Sequence, residues 1–291
     1  MKVAGNKVKH LSDLYFSELK TLYDEGEIKA ILYLVFEFYL GISRNKIDIR
    51  SEENINQSDL IKIYTCHELL KGGKPLQYIL GEAWFYNLKL YVNENALIPR
   101  PETEELVDLI IEENPDCKSL LDIGTGSGCI PISIKANLKK IEVSACDISS
   151  AALEVANKNV NLNGTPVNFF EADVLNTNNF IKTVGKSFDV IVSNPPYIKE
   201  SEKNSLSKHV IENEPHLALF VNNEDEIIFY KKIIDVCAQL LNNGGRLYFE
   251  LNPVTANDVK AHAVKSGLFV SVELIKDLNG KVRFLKGVKG R

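Results

Sequence analysis

None of the five cysteines, Cys66, Cys117, Cys129, Cys146 and Cys237, falls in a C-x-x-C spacing, and their number is odd. No disulfide framework is evident, and reduced thiols in a cytoplasmic protein are expected. The five histidines are equally dispersed, so no zinc constellation stands out and no metal is expected. Positive charge in excess is missing too: 34 Lys+Arg face 39 Asp+Glu, giving a net charge of -5. A generally basic surface for a phosphate backbone is therefore excluded, and direct nucleic-acid binding is not expected. Long apolar runs are absent: the run over 31–40 is too short to span a bilayer and Glu37 interrupts it. No signal-peptide pattern opens the chain, so no membrane role is expected. Neither an internal repeat nor a low-complexity tract is visible. The basic end, Lys286-Gly-Val-Lys-Gly-Arg291, reads as a solvated tail.

What is present is an ordinary soluble composition, 45% hydrophobic and 25% charged over 291 residues. That length suits one large domain, or a catalytic domain with a smaller one. Residues 8 to about 72 carry helical periodicity, as at Leu11, Leu14, Tyr15, Leu19 and Leu22. A second helix is expected over about 27–41, ending at Gly41. A third runs from an N-cap at Ser58 to Leu70. Together they predict a small bundle over 1–73. A linker over 74–97 follows Gly72-Gly73-Lys74-Pro75. Within it Trp84, Tyr86, Leu88, Leu90 and Val92 alternate, which predicts a β-hairpin. From 98 to 291 the pattern becomes α/β. After a helix that starts near Pro101, strands are expected at 119–123, 141–146, 168–172, 188–193, 245–251, 269–274 and 282–287. Helices are expected between them at 128–138, 150–163, 225–242 and 255–265. This alternation predicts a mostly parallel sheet covered on both faces.

Four predicted strand ends carry chemistry. The first is Leu120-Leu-Asp-Ile-Gly-Thr-Gly-Ser-Gly128. Glycines at 124, 126 and 128 allow a tight turn and a close ligand, and the helix behind them offers free N–H groups. The G-x-G-x-G spacing departs from the G-x-G-x-x-G of dinucleotide enzymes. A carboxylate or a nucleoside suits the same loop. Asp147 ends the next strand, where a carboxylate can accept both ribose hydroxyls. Asp173 ends the third, within reach of an adenine amino group, with Val174 beside the ring. Each of these alone has a plain structural reading as a turn or a helix cap; together they predict a nucleoside site.

The last of these, Ser193-Asn-Pro-Pro-Tyr197, follows the fourth strand. Two prolines between an amide and an aromatic ring exceed what a turn requires. They fit the alkylation of a planar nitrogen. The lone pair of an amide is delocalised, as its rotation barrier of ~18–20 kcal/mol attests. Individual hydrogen bonds, ~0.5–1.5 kcal/mol net, cannot abolish that delocalisation but can position the NH2 group. Two acceptors are needed: the side-chain oxygen of Asn194 and a backbone carbonyl, Pro195, held rigid by proline geometry. Tyr197 offers a flat face to the substrate, and Pro196 completes the support. An activated sulfonium methyl donor makes a metal or a strong base unnecessary.

Asp122-Ile-Gly-Thr-Gly-Ser-Gly128 resembles the S-adenosylmethionine loop of class I methyltransferases, and Asn194-Pro-Pro-Tyr197 resembles the motif of amino-group methyltransferases acting on adenine or glutamine. Pro75-Leu-Gln-Tyr-Ile-Leu-Gly81, Leu97-Ile-Pro-Arg-Pro-Glu-Thr-Glu104 and Glu214-Pro-His-Leu-Ala-Leu219 are similar to segments of the HemK/PrmC family, the peptide chain release factor glutamine methyltransferases. The resemblance implies a Rossmann-like, mostly parallel seven-stranded sheet with a small N-terminal helical domain that binds the release factor. It implies S-adenosyl-L-methionine as cofactor, held by Gly124, Thr125, Gly126, Ser127, Gly128, Asp147, Asp173, Val174 and Asn194. Val174 stands where some relatives carry an aromatic residue. The substrate implied is the glutamine of the Gly-Gly-Gln loop of class 1 bacterial release factors, methylated at N5 and held by Asn194, Pro195, Pro196 and Tyr197. Asn194, Pro195 and Tyr197 would be the catalytic residues. Arg100 and Glu102 lie in a segment that family members place near the active site. A monomer is the default. The rival readings are a ribosomal-protein glutamine methyltransferase, an adenine N6 methyltransferase on nucleic acid, and a cofactor-binding regulator without catalysis.

Overall fold

A computed structural model describes residues 5–199, 201, 203, 208–221 and 225–291. The chain divides into two compact units, one up to Gly81 and one from Glu82 onward.

In the first unit, α1 (Val8–Leu19), α2 (Glu25–Leu40), α3 (Gln57–Lys71) and the short α4 (Leu76–Leu80) enclose their own core. The ends of α2 are set by sequence. Asp24 and Glu27 form a reciprocal capping box, and Gly41 closes the helix in the left-handed region. At α3 the N-cap is Asn56 rather than Ser58: its Oδ1 accepts from Asp59 N–H at 2.9 Å, leaving Ser58 inside the first turn. The Tyr15 hydroxyl, wholly buried, donates to the Ile63 carbonyl at 2.8 Å and ties α1 to α3.

The second unit opens with the hairpin β1 (Glu82–Phe85) and β2 (Leu88–Tyr91). Tyr86 and Asn87 both have positive φ, the signature of a two-residue turn that matches strand twist. Such a turn pairs Phe85 with Leu88 and Trp84 with Lys89. The alternation therefore changes phase across the turn. Leu88 and Leu90 share a face with Ala83 and Phe85, while Trp84 points outward at 64% exposure.

Then follow α5 (Pro101–Glu113), β3 (Ser119–Ile123), α6 (Cys129–Asn137), β4 (Glu142–Asp147), α7 (Ser150–Asn163), β5 (Asn168–Glu171), α8 (Thr177–Val184) and β6 (Phe188–Ser193). Two short strands, β7 (Ile198–Lys199) and β8 (Phe220–Val221), pair with each other across α9 (Lys208–Asn213) and α10 (His216–Leu219). The unit ends with α11 (Ile228–Leu240), β9 (Leu241–Glu250), α12 (Ala256–Lys265), β10 (Phe269–Lys276) and β11 (Val282–Lys289). Seven strands form one sheet in the order β10-β11-β9-β6-β3-β4-β5. Only β11 runs against its neighbours. Helix α8 has no counterpart in the sequence reading. Its polar start, Thr177-Asn-Asn, masks a helix that Asn176 caps and Phe180 anchors in the core.

The basic end of the chain is not a solvated tail. Strand β11 lies inside the sheet between β9 and β10, and Lys286 pairs with Glu113 at 2.9 Å and Glu273 at 3.2 Å. Lys289, 9% exposed, donates to the carbonyls of Cys237, Ala238 and Leu241 at 2.7–3.0 Å. An ammonium thus caps the C-terminus of α11, where orphan carbonyls and the helix dipole favour a cation. Replacing Lys289 with Met strips three acceptors of their donor. The expected loss is about 1–3 kcal/mol, read as a lower urea midpoint at unchanged slope; an unaltered midpoint would remove Lys289 from this role.

Candidate active site

Strand order reverses between β3 and β6: the chain proceeds from β3 through β4 to β5 on one side, then returns to β6 on the other. The carboxyl ends of these strands open on a common crevice, the usual ligand position in such sheets. A cavity of about 200 Å³ of water-accessible space lies there, lined by residues 124–127, 147–149, 172–175 and 193–196. Arg100, Thr103, Pro215, Leu217, Ala218 and Phe229 complete it.

The glycine turn forms the floor. Gly124, Gly126 and Gly128 have φ of +78°, +54° and +78°, a region that penalises any side chain. A Cβ at Gly124 or Gly126 would meet nothing within 4 Å, so their space belongs to the crevice. A Cβ at Gly128 would crowd Ile132 and Ala156 at 3.0 and 3.1 Å, so this glycine serves the packing of α6 on α7. The turn is held from two sides. Cys146 O accepts from Gly124 and Thr125 N–H, both at 2.9 Å. Buried Asn159 of α7 accepts from Tyr91 N–H at 2.6 Å and donates to the carbonyls of Tyr91 and Ser127, both at 2.9 Å. One amide thereby joins hairpin, helix and glycine turn.

Asp147 accepts from Gly126 N–H at 2.8 Å and Ser149 N–H at 2.9 Å. Burial pushes its pKa above the ordinary carboxylate value, against those two N–H groups. The carboxylate is fixed at the cavity edge with lone pairs to spare, as ribose hydroxyls require. Asp122, wholly buried beneath the turn, has no hydrogen-bond partner for either oxygen among the described residues. Burial pushes it up to about 7; the Thr125 hydroxyl nearby opposes that without completing a hydrogen bond, and the Asp147 charge adds to it. Asp173 accepts from Leu175 N–H at 2.9 Å and lines the cavity, while Val174 is buried in the wall and packs into the main core.

On the β6 side, Ser193 donates to Ile123 O at 2.6 Å and fastens the start of Asn-Pro-Pro-Tyr to the end of β3. Asn194, Pro195 and Pro196 line the cavity. Tyr197 is not among the lining residues. Its ring packs against the main core, and burial, with the Glu250 carboxylate next, pushes its hydroxyl up to about 12. The nine residues expected to hold a cofactor, with Pro195 and Pro196, thus come together, save that Gly128 backs the turn from behind.

Three side-chain partnerships complete the site. Thr103, at the start of α5, donates to Glu250 Oε2 at 2.7 Å, and its oxygen accepts from Asn194 Nδ2 at 3.5 Å. Glu250 ends β9, 2% exposed. Nη2 of Arg100 donates to both oxygens of buried Glu214, at 2.6 and 2.8 Å, a charge-assisted pair that ties the cavity wall formed by Pro215, Leu217 and Ala218 to the segment before α5. The segments 97–104 and 214–219 singled out in the sequence contain Arg100, Thr103 and Glu214; nothing local marked Glu250 or the pairing of Thr103 with it. Glu102 stands close enough for its charge to act on Glu250 and Tyr197.

Residues 103–218 match the methyltransferase small domain family. The release factor glutamine methyltransferase of Flavobacterium psychrophilum is 41% identical over 284 residues, covering 96% of this chain and 98% of that protein. The enzyme of the same name from Bacteroides thetaiotaomicron is 40% identical, over 92% and 95% of the two chains. Among solved structures, a methyltransferase from Pyrococcus furiosus shares the fold at a TM-score of 0.52 and 20% identity, covering 81% of this chain and 100% of that one. Near end-to-end identity on this scale, over a crevice built from the glycine turn and Asn-Pro-Pro-Tyr, places the chain in the release factor glutamine methyltransferase family.

Proposed function

We propose that this enzyme transfers a methyl group from S-adenosyl-L-methionine to the side-chain amide nitrogen, N5, of the glutamine in the Gly-Gly-Gln loop of class 1 peptide chain release factors. The observation that carries this reading is the acceptor geometry at the end of β6. Asn194 lines the cavity, and its NH2 is already committed to Thr103, which leaves Oδ1 for a donor. A substrate carboxamide is such a donor, with two N–H bonds to place.

The residues of the crevice fit S-adenosylmethionine. An open glycine floor, a helix N-terminus and a carboxylate with spare lone pairs match a nucleoside carrying a charged tail. When bound, this group supplies an electrophilic methyl on a sulfonium. Gly124 to Gly126 would let the backbone approach it, Asp147 would accept from the ribose, and Asp173 and Val174 would border the adenine. On the substrate side, Asn194 Oδ1 and the Pro195 carbonyl accept the two amide N–H groups, and Pro196 stiffens the loop. Tyr197, packed on the core, anchors that loop from behind. Orientation of the attacking nitrogen can supply ~7–11 kcal/mol of the barrier. Most of the rate is therefore asked of positioning rather than of base catalysis. The helical unit before residue 74 is proposed to bind a second face of the release factor. Among the described residues no helix is long and apolar enough to cross a membrane. A substrate in translation termination is what would put the enzyme in the cytoplasm.

Two outcomes are expected. Mass spectrometry of purified release factor incubated with enzyme and S-adenosylmethionine gains one methyl, on the Gly-Gly-Gln peptide; modification of a ribosomal protein or of adenine instead would favour a rival substrate. Asn194→Ala loses about 10²–10³ in kcat while titration calorimetry still detects S-adenosylmethionine binding. Unchanged turnover would take Asn194 out of the mechanism.

A further inference from the structure

The Asn194 amide has two nearly isosteric orientations, and only one presents an acceptor to the cavity. Its neighbours decide between them. The Thr103 hydroxyl spends its proton on Glu250 Oε2 at 2.7 Å, so what it turns to Asn194, at 3.5 Å, is a lone pair. The Asn194 amide also lies near enough to the Glu250 carboxylate to favour its charged form, without completing a hydrogen bond to it. The opposite orientation would set Oδ1 against two acceptors, one of them anionic.

We propose that Thr103 and Glu250 are positioning residues for methyl transfer: ionised Glu250 accepts a hydrogen bond from the Thr103 hydroxyl, the Thr103 oxygen accepts one from the Asn194 NH2, and Oδ1 of Asn194 is thereby aimed at the substrate amide. This rests on the glutamine-methylating reading above. The relay joins three elements that meet only in the folded sheet: the first turn of α5, the end of β6 and the end of β9.

The relay has a direction, and one proton reverses it. A neutral Glu250 donates to Thr103, whose own proton is then free to point at Asn194. The amide turns, and its NH2 opposes the NH2 of the substrate. Burial pushes Glu250 up to about 7, with the Thr103 hydroxyl and then the Arg283 guanidinium of β11 opposing, Glu102 of α5 adding, and Asn194 opposing. The other titratable groups that face it are Tyr197 after β6, Tyr230 of α11 and Cys129 at the start of α6, all neutral at that pH because burial raises each. The sign follows: the competent relay belongs to the charged form, so activity is present above about 7 and falls as pH drops through that value.

The test uses the full chain and whole release factor. Wild-type kcat should show an acid limb near 7. Glu250→Gln should abolish that limb, because its carbonyl accepts from Thr103 at every pH. Thr103→Val should lower kcat roughly tenfold, about the worth of one hydrogen bond, with little change in KM, and Thr103→Ser should restore it. A limb that persists in Glu250→Gln would belong to Asp122 and overturn the relay; so would a fully active Thr103→Val. A second readout needs no substrate: the side-chain amide NMR signal of Asn194 in the free enzyme should shift with the same midpoint in wild type and stay flat in Glu250→Gln. If wild type fails to methylate release factor, the substrate reading falls, while the NMR titration still upholds or overturns the relay.

Discussion

The crevice exists because the strand order of the sheet reverses between β3 and β6, and the chemistry depends on that one topological constraint. Helices can cover the faces of a parallel sheet, but at a reversal the connections leave in opposite directions and cannot cover the strand ends. Every residue assigned to ligand or substrate stands at such an end or directly after it: the glycine turn after β3, Asp147 closing β4, Asp173 after β5, Asn194 after β6. Burial of the strands supplies rigidity. Leu120, Leu121, Val190, Ile191, Val192 and Leu247 are wholly enclosed, so the ends they carry have little freedom to drift.

Around this frame, polar groups buried in pairs or chains fix what the backbone alone leaves loose. Asn159 holds the glycine turn against the hairpin, Ser193 binds the proline loop to β3, and the Arg100–Glu214 pair holds the wall opposite. Thr103 and Glu250 act on the single side chain whose orientation matters most. Two carboxyls, Asp122 and Glu250, are enclosed so completely that burial pushes each to about 7. They flank the cavity from beneath the glycine turn and from behind the proline loop. A buried carboxyl is costly wherever it ionises; here each stands beside residues that line the cavity.

The sequence was most legible where function depends on backbone. Positive φ at Gly124 and Gly126 demands glycine, and proline pairs declare a stiff loop, so both motifs stand out as words in the chain. Alternating strand and helix periodicity likewise announced the sheet, because parallel strands are buried on both faces. Side-chain partnerships were illegible. Thr103 is 147 residues from Glu250 and 91 from Asn194, and neither pairing has a local pattern. Trp84 misled because the two-residue turn at Tyr86 and Asn87 changes the phase of alternation. The basic end misled because charge suggested solvent, whereas Lys289 spends its charge on the end of a buried helix.

The account turns on which atom of Asn194 meets the substrate. A crystal structure of the enzyme with S-adenosylhomocysteine and a Gly-Gly-Gln peptide tests this directly. Oδ1 of Asn194 should lie about 2.7–3.2 Å from the glutamine side-chain nitrogen, with the Asn194 NH2 turned to Thr103. A glutamine seated with its oxygen toward Asn194, or bound away from β6 altogether, would contradict it.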